Sequence, residues 1–200
     1  MYKNCSVSIK SLITIFLLVY FPVASALTAD EIVFNTTQEV LNRLEVDKER
    51  LEKEPEYIQV IVRDLIIPHM DFMTMSELAL GSEWGSLSDT DKDCFSQGFK
   101  NLLVERYAYV LLSYRKQDIN YQSAMPIGEK GNVSIMQTLT RPDVKPLRIE
   151  YPMRPDGDSW KVIDLVIDDV SLIRNYRKMF NKEVEQKGLD SFVKSFEECN

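Results

Sequence analysis

The first candidate for chemistry is His69, the only histidine of the chain, because a Ser-His-Asp or Cys-His arrangement would have to be built on it. It follows Pro68 at a predicted helix break, and Asp71 lies two residues further on. A histidine and an aspartate inside an apolar pocket can transfer protons, so one hypothesis is a small-pocket hydrolase or isomerase that uses His69 and Asp71. The simpler interpretation, which the sequence favours, is a partly buried ring that is hydrogen-bonded to a loop carbonyl. On that interpretation no residue is catalytic.

The other candidate groups are carboxylates and thiols. Asp168 and Asp169 lack the cluster of oxygen ligands that a metal needs, so we predict that they cap the helix that follows. Asp164 lies inside an apolar strand, where it needs a hydrogen-bond partner, and we predict a structural role. Cys94 and Cys199 could form one disulfide bond or remain two thiols. With a single histidine beside them, they make a poor metal site, and no cofactor is expected.

Residues 1–26 have the pattern of a secretory signal peptide. Lys3 and Lys10 provide the positive start, the apolar run Leu12–Val23 follows, and Ala24-Ser25-Ala26 offers a small-residue cleavage site. The apolar run is shorter than the roughly 20 residues that a membrane span needs. We therefore expect export and cleavage after Ala26.

The remaining chain, residues 27–200, has the size of a single domain and is strongly acidic. The whole chain carries 24 lysines and arginines against 31 acidic residues, a formal net charge of −7 that becomes −9 when the two leader lysines are removed. Binding to nucleic acid requires clustered basic residues, so this class is set aside. We expect one soluble, monomeric domain.

The spacing of apolar residues is helical in the first half of the chain. From Thr28 to about Tyr114 apolar residues recur every three or four positions. Capping and helix-breaking residues predict the boundaries, which are an end near Glu52, a start at Glu56, a break at Pro68, a stop at Gly81 and a start at Ser88.

From Asp118 onward the apolar period is two, which predicts four strands joined by turn-rich connections typical of antiparallel hairpins. The predicted strands are Ile119–Met125, Val133–Leu139, Leu147–Met153 and Trp160–Val170. A last helix begins near Ser171 and stops at Gly188. The predicted fold class is α+β, with a helical N-terminal half packed on a curved four-stranded antiparallel sheet and helices at the C-terminus. Periodicity does not distinguish a filled interior from a hollow one.

Two segments resemble the MlaC family, periplasmic phospholipid-binding proteins also called the toluene-tolerance family. One is Trp160–Phe180, which contains Val170-Ser171-Leu172 and Asn175-Tyr176-Arg177. The other is Ile67–Phe72, followed by Leu80-Gly81-Ser82-Glu83-Trp84. The chain departs from the family pattern at Asp169, where the family usually has glycine.

The resemblance implies a cone similar to the cystatin and nuclear-transport-factor folds, with a cavity for the acyl chains of a glycerophospholipid. It implies a non-enzymatic carrier in the periplasm of a Gram-negative bacterium. Its partners would be an outer-membrane lipoprotein complex and an inner-membrane ABC transporter that bears a mammalian-cell-entry domain, and its role would be to maintain outer-membrane lipid asymmetry. The bound lipid would be cargo and not a cofactor. The enzyme built on His69 and a lipid-free adaptor with a packed core remain alternatives.

If the interior is hollow, the inward positions of strands and helices predict its lining. Those positions are Ile135, Leu139, Ile149, Tyr151, Leu165 and Ile167 on strands, and Phe72, Met75, Phe99, Leu103 and Tyr107 on helices.

Overall fold

The computed structural model describes residues 27–113, 118–128, 131–141, 144–196 and 199. The predicted signal peptide and its cleavage site after Ala26, the helix end at Tyr114, and the centres of two predicted turns at 129–130 and 142–143 lie outside these residues.

Helix α1 (Ala29–Val46) begins with a capping box. Thr28 Oγ1 accepts a hydrogen bond from the Glu31 amide at 3.2 Å, and the Glu31 carboxylate accepts one from the Thr28 amide at 2.8 Å. This reciprocal pair satisfies two amides that the first helical turn leaves without partners. The predicted helix to about Glu52 is divided at Asp47, where the backbone departs from helical angles and α2 (Lys48–Lys53) begins.

Residues 55–69 form one irregular helical segment. It consists of a 3-10 turn at Pro55–Tyr57, α3 at Ile58–Ile61, a π turn at Val62–Ile66 and a second 3-10 turn at Ile67–His69. The segment ends as predicted next to Pro68, which has no amide to continue the helix. Met70 then extends and forms a parallel bridge to Val162, which ties this segment to the sheet.

Helices α4 (Phe72–Leu80) and α5 (Asp89–Tyr107) begin and end near their predicted signals. Asp71 caps α4, and Ser88 caps α5 by accepting the Asp91 amide at 3.1 Å. Gly81 ends α4 with a φ of +63°, where an added Cβ would lie 2.9 Å from an Arg177 guanidinium nitrogen. A 3-10 stretch at Gly81–Ser86 leads to Ser88, and another at Ala108–Ser113 follows α5.

The described strands form one antiparallel sheet with the order β1-β2-β3-β5-β6, and β4 also pairs with β3. The strands are β1 (Asp118–Ile127), β2 (Asn132–Arg141), β3 (Val144–Asp156), β4 (Ser159–Val162), β5 (Val166–Ile167) and β6 (Val170–Ser171). The α+β class and the antiparallel order agree with the prediction, but six strands replace the predicted four.

The extra strands arise because the predicted strand Trp160–Val170 is broken twice. At the first break, the Asp164 carboxylate accepts hydrogen bonds from the Leu165 amide at 2.7 Å and the Ile173 amide at 3.0 Å, which bends the chain off the ladder. At the second, Asp168 and Asp169 have φ of +45° and +69° and form the hairpin turn between β5 and β6.

The prediction that Asp168 and Asp169 cap the following helix is therefore wrong. Helix α6 (Leu172–Lys187) is capped by Ser171, whose Oγ accepts the Arg174 amide at 3.0 Å. Asp164, predicted to be structural, completes this cap by accepting the Ile173 amide.

The largest packed cluster lies between α4, α5, α6 and the short α7 (Leu189–Val193). Six of its aromatic residues are linked to one another by ring contacts, and they are Phe95, Phe99, Tyr176, Phe180, Phe192 and Phe196. Beside it, Cys94 and Cys199 form a disulfide bond with Cα atoms 5.2 Å apart, which settles the alternative that the sequence leaves open. Of two smaller clusters, one joins apolar residues of the segment 51–62 to Val104 and Ala108, and the other lies between α1 and the sheet.

Candidate functional site

An apolar cavity lies between α1, the segment 62–72, the C-terminal end of α5 and the inner face of the sheet. About 250 Å³ of it is accessible to the centre of a water molecule. On the same measure one water needs only about 10–15 Å³, so this is a compartment and not a packing defect. Nearly all of its wall is hydrocarbon, which favours an apolar occupant.

Eight of the eleven residues that periodicity selects lie in the cavity wall. They are Phe72, Leu103, Tyr107, Leu139, Ile149, Tyr151, Leu165 and Ile167. They come from five helices or strands and one loop, so only the tertiary fold brings them together.

The other three predicted residues lie elsewhere. Met75 and Phe99 are fully buried in the aromatic cluster, and Ile135 packs with Ile32 and Met153 in the cluster between α1 and the sheet. The stripe on α5 runs from the filled core into the cavity, so residues with the same spacing have different environments along one helix. Periodicity identifies the inward face but not the point at which packing ends.

Sequence reasoning missed the contributions of α1 and of the π turn. Ile32, Val33 and Val40 of α1 line the cavity, and so do Val62 and Ile66. The helical spacing of the α1 residues was an available signal. The π turn changes the helical phase between Val62 and Ile66, and the spacing of apolar residues does not indicate such a change.

The mouth of the cavity is marked by lining residues that also face solvent. Tyr107 is 37% exposed, Val110 is 51% exposed and Ile167 is 38% exposed. An apolar ligand that enters between them passes from water into the cavity without contacting an acidic or basic side chain of the lining.

His69 lies in the cavity wall, half-buried. Burial and then the charge of Lys161 lower the pKa of His69, and Glu39 opposes them weakly. The ring is therefore neutral near pH 7. The structure gives it no hydrogen bond within the described ranges, so the expected bond to a loop carbonyl is not found there; instead, Lys161 Nζ donates to the Pro68 carbonyl at 2.5 Å.

Asp71 is engaged away from His69. Its carboxylate accepts hydrogen bonds from the Thr74 amide at 3.0 Å and the Thr74 hydroxyl at 2.6 Å, and it pairs with Arg154. Burial opposes ionisation, but the Thr74 hydrogen bonds and the Arg154 guanidinium hold the pKa of Asp71 below its usual value. Asp71 therefore caps α4, and the geometry of a His69 and Asp71 acid-base pair is not formed.

The described residues provide neither a cluster of metal ligands nor a membrane-spanning helix. No group of three or more histidine, cysteine, aspartate or glutamate side chains in this part of the chain is placed to hold a metal ion. None of the described helices is both long and apolar enough to cross a membrane.

The fold and the site define an α+β protein in which helices cover one face of an antiparallel sheet and enclose an open apolar cavity. The chain belongs to the MlaC protein family, whose family model matches residues 35–198.

Similar proteins agree with this assignment. The Haemophilus influenzae intermembrane phospholipid transport system binding protein MlaC is 24% identical over 185 residues, covering 89% of this chain and 86% of that protein. The Pseudomonas putida toluene tolerance protein ttg2D is 24% identical over 178 residues, covering 87% and 82%. The Ralstonia solanacearum phospholipid-binding protein, solved in complex with a phospholipid, shares the fold with a TM-score of 0.75 at 22% identity, over 86% of this chain and 97% of that one.

Proposed function

We propose that this protein is a glycerophospholipid carrier and that the acyl chains of its cargo occupy the cavity. The observation that carries the proposal is the hydrocarbon wall that continues to an exposed apolar rim at Tyr107, Val110 and Ile167. The names of two similar proteins, a phospholipid transport binding protein and a phospholipid-binding protein, support the same cargo.

The physical need for a carrier follows from the cost of exposing hydrocarbon. Two acyl chains contain about 30 methylenes, and each costs about 0.8 kcal/mol to transfer into water. Unassisted movement between membranes is therefore negligible, and a carrier must replace the bilayer interior with an equivalent apolar surface. The binding cannot be much tighter than that of the membrane, because the carrier must also release the lipid.

The proposed location is the periplasm of a Gram-negative bacterium, reached after cleavage of residues 1–26. The Cys94–Cys199 disulfide supports an oxidising compartment, since such bonds persist outside the reducing cytosol. The positive start, apolar run and small-residue site of the leader support the same route.

The proposed role is transfer of phospholipid between an outer-membrane lipoprotein complex and an inner-membrane ABC transporter with a mammalian-cell-entry domain. This role would maintain the lipid asymmetry of the outer membrane. Membership of the MlaC family and the name of the Haemophilus influenzae relative support it. The carrier is not an enzyme on this proposal, because Asp71 is committed to Thr74 and Arg154 and leaves His69 without its acid-base partner.

The test is native mass spectrometry of the processed protein, purified from the host envelope without detergent, followed by lipid extraction. The expected result is a glycerophospholipid bound to each chain. A lipid-free mass, unchanged after incubation with phospholipid vesicles, would contradict the carrier and favour the adaptor.

A further inference from the structure

A small polar network interrupts the hydrocarbon wall of the cavity. The Tyr151 hydroxyl donates to Gln137 Oε1 at 2.8 Å, and Gln137 Nε2 donates to Thr37 Oγ1 at 2.7 Å. The Thr37 hydroxyl in turn donates to the Val33 carbonyl at 2.8 Å. Thr37, Gln137 and Tyr151 all line the cavity, and Gln137 is only 1% exposed.

The network fixes the orientation of the Gln137 amide. Because the Thr37 hydroxyl hydrogen is used on the Val33 carbonyl, Thr37 Oγ1 must accept, and the group facing it must be the amide nitrogen of Gln137. An amide nitrogen has two N–H groups, of which Thr37 uses one. The structure gives the second N–H no partner within the described part of the chain, and the side chain borders the cavity.

Gln137 occupies a defined depth below the mouth. In the sheet, Gln137 of β2 lies opposite Ile149 of β3, and Ile149 lies opposite Ile167 of β5. Exposure falls along this row from 38% at Ile167 to 8% at Ile149 and 1% at Gln137. Since neighbouring strands are about 4.8 Å apart, Gln137 lies about 10 Å inside the rim. It is the first polar side chain that a ligand meets along this row.

We propose that Gln137 donates its second N–H to an ester carbonyl oxygen of the bound glycerophospholipid, so that the cavity selects ester-linked over ether-linked lipids. This inference rests on the proposed carrier function and names the feature of the cargo that the cavity recognises. A saturated chain lying over the amide would leave the N–H without an acceptor in an apolar environment, which is unfavourable. An ester carbonyl removes this defect, whereas an ether-linked lipid has no carbonyl at that position.

The chemistry of the lipid fits the depth of the site. Ester groups lie at the junction between the head group and the acyl chains, only a few bonds from each. A carbonyl at Gln137 would leave the head group towards Ile167 and water, and would direct the chains into the hydrocarbon part of the cavity.

The experiment is a competition between a diacyl phosphatidylethanolamine and its dialkyl ether analogue with equal chain length, presented in mixed vesicles and read by native mass spectrometry. The wild-type protein is expected to load the ester about tenfold better, the factor that corresponds to one net hydrogen bond of about 1.4 kcal/mol. The variant Thr37→Val/Gln137→Met/Tyr151→Phe removes the polar groups of these three side chains together, so none of the three keeps a polar group that has lost its partner among the other two. It is expected to load both lipids equally.

Ser134→Ala is the matched control. Ser134 lies on the same strand as Gln137, is buried and also carries a polar side chain, but it is not part of the cavity wall. This variant should retain the ester preference of the wild type.

A second readout needs no variant. The infrared carbonyl band of the bound ester lipid should lie at lower frequency than the band of the same lipid in an alkane, because a hydrogen bond weakens the C=O bond. Equal loading of ester and ether lipids by the wild type, or a carbonyl band at the alkane position, would overturn the inference while leaving the carrier function intact. These results are also those expected if a water molecule, and not the lipid, pairs with the amide. Failure of the wild type to load either lipid would instead contradict the carrier function itself.

Discussion

Ser171 Oγ donates a hydrogen bond of 2.5 Å to Asp164 Oδ2, although the two residues are seven positions apart in the chain. The same carboxylate accepts the Leu165 and Ile173 amides. Asp164 therefore joins the bend after β4 to the start of α6. Leu165 and Leu172, which flank these contacts, both line the cavity, so this carboxylate shapes part of its wall.

Asp164→Ala is expected to destabilise the protein by about 2–4 kcal/mol, because it leaves three donors without their acceptor in a partly buried place. Asp164→Asn, which retains one acceptor oxygen, should lower the free energy of unfolding by a smaller amount. Urea unfolding measures both. The control is Asp158→Ala in an exposed turn, which should stay within about 0.5 kcal/mol of the wild type. If Asp164→Ala and Asp158→Ala lower the free energy of unfolding equally, Asp164 does not have this structural role.

Gly98→Ala is expected to destabilise the packing of the C-terminal segment by about 1–3 kcal/mol, the usual cost of an overfilled core. A Cβ at Gly98 would lie 2.6 Å from Cδ1 of Phe196, whose ring packs against Phe95 and Phe192. Gly85→Ala is the matched control, because nothing lies within 4 Å of a Cβ there. Thermal unfolding should show a lower midpoint for the first variant and an unchanged or higher midpoint for the second. If both midpoints fall by the same amount, contact with Phe196 is not the cause.

Removal of the disulfide with Cys94→Ala/Cys199→Ala is expected to lower the free energy of unfolding by about 2–4 kcal/mol. The bond closes a loop of 105 residues and thereby restricts the unfolded chain. Denaturant unfolding with and without dithiothreitol measures the effect. Dithiothreitol should lower the unfolding free energy of the wild type to that of the double variant and should not change that of the variant. If the reductant does not affect unfolding of the wild type, the disulfide bond is not present.

His69 should make stability depend on pH in a direction that follows from its lowered pKa. The folded state holds the ring neutral, so the unfolded state binds more protons near pH 6. The stabilisation is complete above the ordinary pKa of about 6.5 and is lost as the pH falls through the lower pKa of the folded protein. His69→Phe should remove this dependence, so the difference in unfolding free energy between wild type and variant should change from about pH 7 to about pH 5.

The same His69→Phe variant tests whether lipid loading requires the histidine. A carrier should load phospholipid from vesicles as the wild type does, since a neutral ring and a phenyl ring both leave the wall uncharged. Loss of lipid loading in a variant that remains folded by circular dichroism would show that the histidine does more than fill the wall.

Ile149→Glu should reduce phospholipid loading by at least about tenfold, because it places a carboxylate in the apolar wall of the cavity, where its desolvation is costly. Val170→Glu adds the same charge at a residue that is 62% exposed and outside the lining, and it should load normally. Native mass spectrometry of both proteins after incubation with vesicles gives the comparison. Normal loading of a folded Ile149→Glu protein would mean that this face of β3 does not contact the lipid.

The sequence by itself determined the elements that depend on neighbouring residues. Ser88 starts α5, Gly81 ends α4, and the helical segment that precedes α4 ends at His69, next to Pro68. Capping and helix-breaking residues act within one turn of the chain, so these boundaries can be predicted locally. The inward faces of β2 and β3 could also be predicted from the sequence, because successive side chains of any strand point to opposite faces. The segments Ile67–Phe72 and Trp160–Phe180 indicated the family that the family model then matched.

Only the tertiary structure decided where the interior is filled and where it is hollow. Phe99 and Leu103 belong to one apolar stripe of α5, yet Phe99 is surrounded by aromatic rings while Leu103 borders the cavity. The hydrogen bond between Gln137 and Thr37 likewise joins residues 100 positions apart, which no local sequence pattern connects. The period of a stripe is set within a few residues, whereas an empty space depends on the distance between elements that are far apart in the chain.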